Sequence, residues 1–155
     1  MRELIERELD DSCRFIREGQ ETVPRFLLVS PEGGTVLFCP LPGPIEIRFE
    51  RLNLVSRFMA ATMVASFVFS TELIEPNAVT AIGVSRDFAL AGIRMIDRKP
   101  LRFSPTEWLE GVDQIGDEVL SLLPAKHEEL SAGQIAELES AIKAFSPSEI
   151  RKLKL

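Results

Sequence analysis

Apolar residues near the start of the chain return at intervals of four, four and three: Ile5, Leu9, Cys13 and Ile16. That spacing places them on one face and predicts a helix over Arg2–Gly19. Glu3, Glu6 and Glu8 lie early in it, where the helix dipole favours negative charge. Gly19 suits its C-terminal cap. RFLLVS and TVLFCP then flank PEGG and read as a hairpin. Pro31 presets φ for the first turn position, and Gly33 or Gly34 supplies the positive φ that closes it. Three prolines between Pro40 and Pro44 break the sheet. IEIRFE alternates apolar and charged residues, which predicts a short edge strand. From Arg51 to Thr62 the period lengthens again. Leu52, Val55, Phe58, Met59 and Thr62 mark the face of a helix packed on a sheet.

The run RFMAATMVASFVFSTELI, Arg57 to Ile74, is the most apolar part of the chain. A bilayer-crossing helix needs about twenty predominantly apolar residues. This run falls short, carries Arg57 and Glu72, and changes period at Met63. It reads as the end of a helix followed by a strand, with Phe67 in the core. AVTAIGVS and FALAGIRMID follow as two strands around Arg86-Asp87. Gly83 and Gly92 inside them mark bulges, or places where a helix or another backbone comes close. FSPTEWL predicts a helix start, with Ser104 as cap, Pro105 in the first position and Glu107 three residues after the cap. A helix from Val112 to Leu123 and another from Ser131 to Phe145 follow, the second with the stripe Ile135, Leu138, Ile142 and Phe145. FSPSEI echoes FSPTEW, which the shared chemistry of starting a helix explains better than a repeat.

These elements define an α+β fold: an antiparallel sheet of about five strands with helices packed on one face, in the order α-β-β-(β)-α-β-β-β-α-α. Residues 1–124 form the α+β domain and residues 125–155 a helical C-terminal extension.

Composition narrows the function. A formal charge of −6 disfavours a phosphate-tracking groove. The nearest basic patch, Arg94, Arg98, Lys99 and Arg102, has no interleaved aromatic platform, so no nucleic-acid partner is predicted. Cys13 and Cys39 are far apart, without a CxxC spacing, and build neither a disulfide framework nor a zinc site. The acidic start MRELIERELDDSCRFIREGQ lacks an apolar signal segment, so a cytoplasmic protein with reduced thiols is expected, with no membrane partner. The single histidine, His127, sits in a polar run between helices. No GxGxxG or P-loop is present, and no cofactor or metal is expected. The remaining chemistry is carboxylate-based, with Glu72, Glu75 and Asp97 as candidates near strand ends.

The expected function is therefore a non-catalytic protein-interaction or adaptor domain, homodimeric, with Ile135, Leu138, Ile142, Phe145, Arg94, Arg98 and Arg102 as candidate partner-binding residues. The element order over Arg2–Leu123 (first helix, antiparallel sheet interrupted by a helix, closing helix) resembles that of type III secretion chaperones, although no motif carries the likeness. The resemblance implies a cytoplasmic homodimer that holds an extended segment of a partner. A carboxylate-based hydrolase or ligand-binding domain is the further alternative.

Overall fold

The four-four-three stripe closes into helix α1, Arg2–Arg17, with Ile5, Leu9 and Cys13 buried. Its end is a Schellman motif. Gly19 N–H donates to the Ile16 carbonyl at 3.1 Å, and Gln20 N–H to the Phe15 carbonyl at 2.8 Å. Gly19 takes φ 69°, a conformation that costs a residue without Cβ little. The structure, a computed structural model, describes residues 1–30, 34–111, 113 and 121–144. Strands β1, Arg25–Val29, and β2, Thr35–Pro40, form the expected hairpin. Pro31 and Gly33 of its turn lie outside the described residues, while Ser30 N–H closes onto the Gly34 carbonyl.

Helix α2 spans Ile45–Thr62 and therefore includes IEIRFE. The edge strand expected there does not form. Six alternating residues fit a period of two, but Ile47, Arg51, Leu54, Val55 and Phe58 continue one buried helical face, and that longer pattern wins. Met63 ends the helix in the left-handed conformation, φ 50° and ψ 46°. Strand β3, Ser66–Leu73, follows directly, so the apolar run is a helix end, a tight connection and a strand. Strands β4, Ala78–Ser85, and β5, Phe88–Arg98, form the next hairpin around Arg86-Asp87.

Two short strands complete the sheet: β6, Leu101–Phe103, and β7, Glu107–Glu110. FSPTEWL thus leads into β7 and not into a helix. Ser104 Oγ bonds the Met95 N–H and the Pro105 carbonyl, so it turns the chain instead of capping a helix. β5 is eleven residues long, and its first half offers Leu90–Ile93 as a pairing edge that β7 takes. The helix expected over Val112–Leu123 lies largely outside the described residues. Helix α3, Ala132–Lys143, matches the last predicted helix and has the full capping box between Ser131 and Gln134.

All pairings are antiparallel, in the order β2-β1-β3-β4-β5-β6, with β7 also on β5. Among the described residues the sheet has seven strands where about five were expected. The helices are divided between its two faces, not gathered on one. Alternation along the strands sends Phe26, Leu28, Phe67 and Val84 to a cluster with Val55, Phe58 and Met59 of α2 and Leu138 and Ile142 of α3. It sends Leu27, Val68, Ala81 and Leu90 to a second cluster with Ile5, Leu9 and Cys13 of α1. Both faces being covered explains why FLLV and SFVF read as nearly unbroken apolar runs.

Gly83 and Gly92 seat α1. A Cβ on Gly92 would lie 2.9 Å from Leu9 Cδ1, 3.0 Å from Ile5 Cγ2 and 3.2 Å from Thr106 Cγ2. A Cβ on Gly83 would strike the Met1 side chain. Of the two roles the sequence allows for these glycines, close approach of a helix is the one seen.

Candidate interaction surface

The C-terminal stripe is spent inside the chain. Leu138 and Ile142 are buried beside Phe58 and Leu41, and Ile135 packs against the same cluster half-buried. Phe145 lies outside the described residues. The basic candidates are separated by their partners. Arg94 bridges β5 to α1, bonding Glu6 at 2.5 Å, Asp10 at 2.7 Å and Thr106 Oγ1 at 2.9 Å. Cation–π contacts reinforce the same seam, with Arg2 over Trp108 at 4.3 Å and Arg17 over Phe103 at 4.9 Å. Arg98 pairs with Glu72, whose other oxygen accepts from Thr22 Oγ1. Arg102 is exposed on β6, opposite Asp97 in register. Asp97 caps the Lys99 N–H at 3.0 Å, and Glu75 stands exposed in the β3–β4 turn. Glu72, Glu75 and Asp97 do not converge: among the described residues no three His, Cys, Asp or Glu side chains are placed to share a metal ion.

Two buried polar clusters escaped the sequence reading. Glu8 and Arg25 form an ion pair at 2.7 Å with only 6% of each side chain exposed. Ser12 Oγ accepts from Arg25 at 3.0 Å, and Ser70 Oγ donates to Glu8 at 3.2 Å. The signal was present: Glu8 falls between Ile5 and Ser12 at helical spacing, on the buried face. The second cluster centres on Arg51, a fully buried side chain. Its Nε donates to the Pro40 carbonyl at 2.9 Å and its Nη2 to the Ile142 carbonyl at 2.8 Å, so one guanidinium ties α2 to β2 and to the C-terminal end of α3. A cation there also complements the α3 dipole. Cys39 Sγ lies 3.8 Å from Arg51 Nη2. Burial pushes the Cys39 thiol above its ordinary pKa against the pull of Arg51, and does the same to Cys13 against Arg94.

Several large apolar side chains are also open to solvent. Phe38 on β2 is 49% exposed, and Ile45 and Phe49 at the start of α2 are 61% and 59% exposed. A pocket of about 200 Å³ beside Phe38 is lined by Phe15, Val23, Arg25 and Pro40 and by the polar Gln20 and Glu21. β2 is a terminal strand, yet its backbone edge is blunted. Pro40 has no N–H to give and its carbonyl is taken by Arg51, while the β1–β2 register shifts between Leu28 and Val29. Contact at this edge therefore falls to side chains more than to a ladder of backbone bonds. At the far side of the sheet β7 presents the exposed charges Glu107 and Glu110.

No family model matches the chain, and neither the curated proteins nor the solved structures give a significant match. Among the described residues no helix is long and apolar enough to cross a membrane.

Proposed function

We propose that the chain is a non-catalytic protein-interaction domain that forms a homodimer through the start of α2, where Ile45 and Phe49 are exposed. One observation carries this reading: the start of α2 leaves Ile45 and Phe49 61% and 59% exposed, whereas Arg94, Arg98 and Glu72 are engaged within the chain. Exposed apolar side chains gathered in one segment mark contact surfaces in soluble proteins. The cytoplasm, where the free thiols Cys13 and Cys39 stay reduced, is the compartment that fits. A second reading is a chaperone-like holder of an extended partner segment, favoured by the pocket beside Phe38 at the sheet edge.

Size exclusion with light scattering tests the first reading. The native chain should run as a dimer, and Phe49→Glu should run as a monomer with an unchanged circular dichroism spectrum. A native chain that stays monomeric at 100-fold different loading concentrations removes it.

A further inference from the structure

Three parts of the chain converge on the Arg51 guanidinium. It bonds the Pro40 carbonyl, shortly before α2 begins, and the Ile142 carbonyl, at the end of α3. Lys143 and Ala144 are exposed there, and Ala144 leaves the helix in an extended conformation, φ −84° and ψ 93°. The exposed apolar residues of α2 are close by: Phe49 and Ile45 precede Arg51 by about 3 and 9 Å along the helix axis. Glu46, exposed, and Glu50, half-buried, each follow one of them in sequence, so an acidic line runs beside the apolar one. Arg48 falls on the other side of the apolar pair.

We infer that the start of α2 is covered within the same chain by residues 145–155, and that this cover regulates the dimer contact proposed above, on which the regulatory half of the inference rests. The segment FSPSEIRKLKL interleaves Ile150, Leu153 and Leu155 with Arg151, Lys152 and Lys154. The α2 flank interleaves apolar with acidic side chains, so the two surfaces match in hydropathy and are opposite in charge. Reach is ample, because eleven residues span at most about 36 Å when extended and their path starts beside Arg51. Attachment next to the site gives the segment a high effective concentration that the same segment of a second copy lacks. Ile45 and Phe49 cannot meet the segment and a second copy at once, so dimerisation has to displace the cover.

The test uses the full chain carrying Cys13→Ala, Cys39→Ala and Ile45→Cys, which leaves one thiol at the covered position. Its reaction with a neutral thiol reagent is followed at protein concentrations where light scattering shows monomer, and circular dichroism checks that each variant is folded. Introducing Arg151→Glu, Lys152→Glu and Lys154→Glu together should speed the reaction about fivefold, the loss expected from a few exposed ion pairs. Adding Glu46→Lys to that chain should slow it again. With the native segment the rate should be independent of protein concentration, because the cover is intramolecular. Equal rates with the native and charge-reversed segments would overturn the inference. So would protection that grows with protein concentration, or a Glu46→Lys addition that leaves the fast rate unchanged. With Ile45 in place, the charge-reversed segment should move the monomer–dimer midpoint to about fivefold lower concentration, and an unmoved midpoint would overturn the regulatory half. A chain that is monomeric at every concentration removes the surface reading instead, while the thiol rates still decide whether the segment covers α2.

Discussion

Replacing Gly92 with alanine should destabilise the protein by about 1–2 kcal/mol, although the same change at an unconstrained site stabilises. Alanine restricts the unfolded chain and so contributes about 0.4–1 kcal/mol in favour of folding. Against that, the new methyl would sit 2.9 Å from Leu9 Cδ1, 3.0 Å from Ile5 Cγ2 and 3.2 Å from Thr106 Cγ2 at once. Leu9 and Ile5 are both fully buried, so neither can swing away without disturbing its neighbours. Overpacking of this kind costs about 1–3 kcal/mol, which outweighs the entropic gain. Gly83→Ala is the control. Its new methyl would meet mainly Met1, which is flexible and only partly buried, and Ile5 Cδ1 at 3.0 Å, so it should cost less than Gly92→Ala, about 0.5–1 kcal/mol. Urea unfolding reads both, with a fall in midpoint at constant slope for Gly92→Ala. For a chain of this length the melting temperature should drop by about 2–8 °C. Combining Gly92→Ala with Leu9→Ala should cost less than the sum, because the smaller side chain makes room. A neutral or stabilising Gly92→Ala, or a Gly83→Ala that costs more, would show that α1 is not seated on β5 as described.

Glu8→Ala leaves Arg25 buried without its counter-charge and should cost about 3–5 kcal/mol, while Glu8→Leu with Arg25→Leu should recover much of it; chemical denaturation of the three chains decides the point. Cys13 and Cys39 both have thiol pKa values raised by burial, so the folded state holds its thiol protons more tightly than the unfolded one. Their contribution is fully present below the unfolded thiol pKa of about 8.5 and is lost as pH rises above it, so melting temperature should fall through that window. The Cys13→Ala, Cys39→Ala chain should show a flatter fall. Phe67→Asp places a carboxylate at a site with no exposure and should abolish soluble expression, measured as the soluble fraction against the parent chain.

Local pattern carried α1, the β1–β2 hairpin, β3, β4, β5 and the capping box of α3 from sequence to structure, because in each the period or cap is complete within a few residues. IEIRFE failed because alternation over six residues fits two periods when a helix leaves Ile45 and Phe49 outside. FSPTEWL failed because a Ser-Pro turn feeds a helix or a strand equally well, and what decides is β5, whose edge lies more than ten residues upstream. The distribution of helices over both faces was hidden for a related reason: strands buried on both sides lose the alternation that reports which face is wet. The site was less legible than the fold. Leu138 and Ile142 form a sound helical stripe, but periodicity says that a face is buried and not by what. Glu8 and Arg51 were readable as charges at buried helical positions, while their partners Arg25, Pro40 and Ile142 are brought to them only by the tertiary fold.

A sheet with helices on both sides has no wet face at its centre. The amides of β3 pair with β1 on one flank and β4 on the other, and helices close the space above and below. Solvent deuterium has no shortcut to Phe67, Val68 or Phe69, so their exchange waits for the whole molecule to come apart. The slowest of these three amides is therefore a built-in gauge of global stability, readable in the intact protein without denaturant.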